Sequence, residues 1–202
     1  MADEIQVLKD FVEGKISDQD FEQQLYTNSA LEKLLSDSAI NWHGTYLQEA
    51  TAFLYLIGQD YKNAEGRLNA HETVKLFLNK IGIQFVTSTK PTDDYDLLLS
   101  TQPKYIEAEA GFIEKYIVPE DTSLSKADRK QYIKQRYAEL FKYQTKPPKW
   151  IQNPDWPIRN DKPLYFLGQL DIKKGDLFHD EGSIFLFIDA ETGILETIKQ
   201  LY

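Results

Sequence analysis

Five of the eight prolines, Pro147, Pro148, Pro154, Pro157 and Pro163, fall within seventeen residues of a 202-residue chain. Proline fixes φ and removes an amide donor, so this stretch excludes helix interior and central strand and predicts an extended surface crossing. Trp150 and Trp156 lie inside it, and large rings at such a crossing predict packing against whatever it passes over. The crossing also separates two hydrophobic periods. Before it the apolar residues recur at helical spacing; after Pro163 the period is two over 164–172, 183–189 and 194–200, with turns at Gly175, Gly182 and Gly193. The fold class is therefore α+β: several short helices over 1–145, packed on an antiparallel meander of about three strands within 146–202. Both faces of the first two strands are apolar near their middles (Tyr165-Phe166-Leu167; Ile184 to Ile188), which predicts a sheet covered on both sides. The third alternates with Thr197 and Lys199 as an edge strand does.

Capping residues divide the helical region. Ile5, Leu8, Phe11 and Val12 form one stripe, closed by Gly14 at a left-handed cap. Ser17 opens a second helix whose first turn holds Asp18 and Asp20, ahead of Phe21 and Leu25. Ser29 with Glu32, and Asn69 with Glu72, have capping-box spacing and predict two further starts, the latter helix ending at Gly82. Between them, 45–59 is nearly continuously apolar and reads as the central buried helix. Residues 83–86 form either a short strand or a hydrophobic staple. Pro91 marks a loop, a short helix is expected over 95–99, and Pro103 opens another running to about Val118. Ser125 with Asp128 begins a longer helix with Ile133, Tyr137, Leu140 and Phe141 on its apolar stripe.

The chain holds 32 acidic and 23 basic residues, a formal net charge of −9. That opposes a general nucleic-acid binder, which needs cationic surface to displace phosphate counterions. The basic helix over 126–142 carries six basic residues, but its aromatics fall on the buried stripe, so a solvated face accounts for it. The excess is not spread evenly: residues 1–60 hold eleven acids against three bases, 61–145 twelve against thirteen, and 146–202 nine against seven. Asp10, Glu13, Asp18, Asp20 and Glu22 thus form a candidate partner-binding surface, suited to speeding encounter with a cationic protein. Cysteine is absent, which removes disulfides and thiolate chemistry. The acidic opening residues are unlike a secretory leader, and no apolar run is long enough for a bilayer, so a cytoplasmic protein is expected, with no membrane partner.

The stretch Pro148-Lys149-Trp150 through Trp156-Pro157, then 162–170 (Lys-Pro-Leu-Tyr-Phe-Leu-Gly-Gln-Leu) and 182–189 (Gly-Ser-Ile-Phe-Leu-Phe-Ile-Asp), resembles the YwqG-like family of bacterial proteins over the last quarter of the chain. The opening pattern Phe11-Val12-Glu13-Gly14-Lys15-Ile16-Ser17, then Phe21-Glu22 and Leu25, resembles small acidic immunity proteins of bacterial polymorphic toxins. The second resemblance implies a non-enzymatic inhibitor that masks a cognate toxin domain, expected to be basic. It implies no cofactor and no chemistry of its own.

The alternatives are a hydrolase or metal-binding protein, and a scaffold. His179, Asp180 and Glu181 stand together, with Asp176 before and Asp189 and Glu191 after; such groups serve divalent metals or acid/base work. Their spacing matches no calcium loop, and a hairpin turn selects the same residues. His71-Glu72 opens like a zinc-protease helix, but Lys75 and Leu76 stand where its second histidine is needed. His43 beside Trp42 has no partner in sequence. Neither a nucleophilic serine motif nor a phosphate loop occurs, so no catalytic residue and no metal ligand is assigned.

Overall fold

The computed structural model describes all residues except Met1, Glu49, Thr122 and 176–178, and the side chain of Ala2. The chain divides into two compact units, Met1–Leu97 and Leu98–Tyr202. The composition shift near residue 146 marks the change from helix to strand, which falls inside the second unit.

The first unit is helical. Helix α1 (Ala2–Val12) ends as expected: Gly14 sits at φ +75°, where its lack of a Cβ matters, and Lys15 N–H reaches back to Asp10 C=O at 2.7 Å. Helix α2 (Asp18–Thr27) begins at Ser17, whose hydroxyl accepts Asp20 N–H. Helix α3 (Ser29–Leu35) starts one residue earlier than the capping-box spacing predicts, because extended Asn28 turns its side-chain oxygen onto the amides of Ala30 and Leu31. The apolar run 45–59 is not the central helix. Only α4 (Ala52–Ile57) forms there, capped by Thr51, and Leu54 is 58 % exposed. The most buried helix is α5 (Ala64–Lys80), which starts at Asn63 rather than Asn69. It begins earlier because Gly66 permits the chain to close on Asp60, whose carbonyl oxygen would lie 2.1 Å from any Cβ there.

Beyond α5, residues 83–86 form neither strand nor helix; Val86 and Ser88 donate their amides to Glu13 and to Val12 C=O at the end of α1. Helix α6 (Lys90–Thr101) is longer than predicted and takes Pro91 into its first turn, where a missing amide costs no hydrogen bond. The core of this unit joins Leu8, Phe11, Phe21, Leu31, Leu56, Val74 and Phe77, with Phe11 and Phe21 stacked at 3.8 Å.

In the second unit, α7 (Ala110–Tyr116) is shorter than the predicted 103–118, and α8 (Lys126–Leu140) opens at Ser125 as predicted. Ile133, Tyr137 and Phe141 point inward from α8, so its aromatic positions do belong to the core, with Tyr132 partly exposed. Strands β1 (Ile158–Arg159) and β2 (Lys162–Pro163) make a small hairpin through Asn160 and Asp161, both at positive φ. The main sheet is the expected meander in the order β3 (Tyr165–Ile172), β4 (Gly182–Ile188), β5 (Leu195–Leu201), antiparallel throughout, with a bulge between Phe166 and Gly168. One face is buried by the proline-rich crossing. Trp150 packs on Phe185 with ring centroids 4.3 Å apart, and Trp156 meets Phe141, Phe166 and Phe187 while donating its indole N–H to Leu164 C=O. The crossing is therefore partly internal rather than wholly superficial.

The other face corrects the two-sided expectation. Ile184, Leu186 and Ile188 are only half-buried, and Leu170 is 67 % exposed. The crossing and the Phe141 end of α8 both meet the Phe166/Phe187 side, so the apolar letters on the opposite side overstate burial.

Candidate functional site

The acidic candidates cluster where α1 gives way to α2, and local chemistry sets how much charge each presents. Asp10 accepts Gln6 Nε2 at 2.8 Å and lies 3.5 Å from Lys15 Nζ. Glu13 makes a 2.5 Å ion pair with the same ammonium and accepts Val86 N–H. The Lys15 contact, then the Val86 amide, holds the Glu13 carboxyl below its ordinary range, and Glu13 in turn raises Lys15. Lys15 thus masks part of the charge of both acids. Asp20 closes a reciprocal cap, its carboxylate accepting Ser17 Oγ–H at 2.7 Å. Asp20 is exposed and Glu22 half-buried on α2.

Asp18 differs from the other four. Its side chain is 38 % exposed, and its nearest ion-pair partner, Arg67 Nε, is 3.9 Å away, beyond hydrogen-bond reach. Burial raises its carboxyl above the usual carboxylate range; Arg67, Lys90 and His71 act in the opposite sense without cancelling it. It lines a cleft of about 310 Å³ whose walls also include Lys15, then Arg67 and His71 from α5, and Lys90 and Asp94 from the start of α6, three cations against two carboxylates.

His71 is 2 % exposed. Its Nε2 stands 2.9 Å from Val12 C=O; a carbonyl only accepts, so Nε2 carries the proton and Nδ1 is a bare acceptor. That Nδ1 is buried without a hydrogen-bond partner. Burial lowers the imidazole's pKa, the Val12 bond opposing the shift, so the ring is neutral at pH 7. Its place mid-helix shows that the His71-Glu72 pair is not a helix start.

The sequence marks Asp18 within the acidic front and His71 only in an incomplete zinc-protease pattern, and does not mark Arg67 or Lys90. The Arg67/His71 spacing of four residues places both on one face of α5 and was a readable signal; their meeting with Asp18 was not. A second cleft, of about 650 Å³, lies in the other unit and includes Glu109, Lys115, Trp156 and Asp161. There Lys115 and Tyr116 both donate to one Asp161 oxygen, at 2.9 and 2.7 Å.

His179 and Asp180 are exposed in the connection between β3 and β4; Asp176 lies outside the described residues. Among the described residues no group of three or more His, Asp or Glu side chains is arranged to hold a metal ion. His43 is exposed beside the buried Trp42. No helix among the described residues is long and apolar enough to cross a membrane. No protein-family model, no curated protein and no solved structure matches the chain.

Proposed function

We propose that this chain is a non-enzymatic binding protein of immunity type, acting in the bacterial cytoplasm, that masks a basic toxin domain with the acidic side of α1 and α2. The observation that carries the reading is the charge of the first compact unit. Met1–Leu97 holds sixteen acids against eight bases, whereas Leu98–Tyr202 holds sixteen against fifteen. Nearly all the excess negative charge therefore belongs to one unit and surrounds the five candidate acids. A field of that sign steers a cationic partner and opposes anionic ones, which favours rapid, selective association. The resemblance of the opening residues to toxin-immunity proteins supports the same reading. The mechanism is occlusion, steric and electrostatic, with no covalent step.

The test is co-purification with the product of the neighbouring gene. A 1:1 complex whose association rate falls as salt rises supports the proposal, because screening weakens steering beyond a Debye length of about 8 Å at physiological salt. Absence of any complex overturns it. In a variant combining Asp18→Asn, Asp20→Asn and Glu22→Gln, association slows while the fold is retained; unchanged kinetics move the interface off α2.

A further inference from the structure

Speed of encounter and length of stay are set by different groups at a protein interface. Exposed carboxylates steer a cationic partner but are screened, whereas slow dissociation needs a contact that leaves water on binding, most often an aromatic ring. Among the described residues of α1 and α2, Tyr26 is the one large apolar side chain left mostly in water, 66 % exposed. It lies on the acidic side: Asp18, Glu22 and Tyr26 follow one another at four-residue spacing along α2. All three act through space on the buried Tyr61 hydroxyl, which places their side chains on one flank of the helix.

The two carboxylates of this stripe are not equivalent. Asp18 faces Arg67 at 3.9 Å. Glu22 is half-buried and makes neither a hydrogen bond nor an ion pair among the described residues. The other exposed apolar groups of the first unit lack such a neighbour. Val86 stands at Glu13, whose charge Lys15 already meets. Tyr46 feels Glu72, which is paired with Lys75 at 2.7 Å. Leu54 has Ala50, Thr51, Ile57 and Gly58 at helical reach, none of them charged. Among the described residues of this unit, therefore, Tyr26 is where an exposed ring adjoins a carboxylate with no counter-ion, one helical turn or about 5–6 Å away between β-carbons.

That pairing selects its occupant by charge. A ring face attracts a cation, and a carboxylate one turn away holds it. A lysine or arginine side chain meets both at once, because its aliphatic stem covers apolar surface while its charged head reaches Glu22. An acidic side chain is repelled by Glu22, and an apolar one strips water from that carboxylate and gives it nothing in return.

We infer that Tyr26 anchors the basic partner, its ring covered by a partner lysine or arginine whose charge is held by Glu22. The inference rests on the immunity-type reading and adds to it the residue that sets how long the complex lasts. Asp10, Glu13, Asp18 and Asp20 then contribute through their field.

The test uses the full chain and the product of the neighbouring gene, with association and dissociation followed separately by surface plasmon resonance. Tyr26→Ala is expected to speed dissociation about tenfold or more, the size of a lost aromatic anchor, while association changes by less than about twofold. Tyr26→Phe keeps the ring and stays near the unsubstituted chain. Glu22→Gln slows association and speeds dissociation, and Tyr26→Ala adds only about threefold or less in that background, because both side chains serve one cation. Tyr26→Lys, which puts a like charge where the partner's cation sits, gives the same reading if Tyr26→Ala does not fold. Unchanged dissociation in Tyr26→Ala, an equal loss in Tyr26→Phe, or full additivity with Glu22→Gln overturns the inference. Failure here is distinct from failure of the parent reading. A complex that survives the loss of Tyr26 unchanged removes the anchor and leaves the inhibitor, whereas absence of any complex removes both.

Discussion

Two residues show how burial changes chemistry that the letters alone do not disclose. His71 is held neutral inside the fold, whereas in the unfolded chain an imidazole takes up a proton near pH 6.5. Folding must then expel that proton, so the native state loses stability as the pH falls below about 6.5, by at most about 1.4 kcal/mol per pH unit for one group. Asp18 works in the other direction: its folded carboxyl titrates above its unfolded one, so its contribution to stability rises as the pH falls through the carboxylate range. Urea unfolding from pH 7.5 to 5 should show the His71 slope, and His71→Gln, which keeps a donor for Val12 C=O, should flatten it. A slope unchanged in that variant assigns it to another group. At Gly66 the constraint is steric. A Cβ would meet Asp60 backbone at 2.1 Å, so Gly66→Ala is expected to destabilise by about 1–3 kcal/mol, the usual cost of overpacking, measured by the same unfolding.

At the scale of elements, stability depends on caps and on rings. Asn28 serves α2 and α3 at once, its amide N–H at the end of one and its side-chain oxygen over the first amides of the other. Asn28→Ala should cost about 1 kcal/mol, whereas Ser29→Ala should cost little, a comparison that distinguishes the observed cap from the one its spacing suggests. Trp156 joins the crossing to the sheet through ring contacts with Phe141, Phe166 and Phe187, besides Tyr105, and through one indole hydrogen bond. Trp156→Ala should therefore cost about 3–5 kcal/mol, read as loss of near-ultraviolet circular dichroism together with a lowered unfolding midpoint. Elements with local signals were legible in advance: α1, α2 and α8 start or stop at their own Ser or Gly, and the three strands carry a period of two between short turns. The run 45–59 was misleading for a physical reason. Thr51 caps the start of α4 and so delays the helix to Ala52, and Tyr46, Ala50 and Leu54 are exposed; hydrophobicity without a stripe does not define a helix.

For the whole molecule the governing quantity is charge per compact unit. If association is steered by the field of Met1–Leu97, then Lys15→Gln, which releases Asp10 and Glu13 from their shared counter-charge, should raise the association rate with a basic partner and steepen its fall with salt. Stopped-flow measurement at two ionic strengths reads both, and a lowered rate would place Lys15 itself in the contact. The sequence by itself determined the switch from helical period to strand period, the order of the meander, the end of α1, the starts of α2 and α8 and the concentration of acids at the front, because each depends on residues a few positions apart. What the tertiary structure alone decided is which polar groups lose water together. Asp18 and His71 come from different helices, and neither is unusual in its own segment. Their loss of water exists only because long-range packing brings α1, α2, α5 and the start of α6 around one cleft, and desolvation is a property of the assembled surroundings rather than of neighbouring letters.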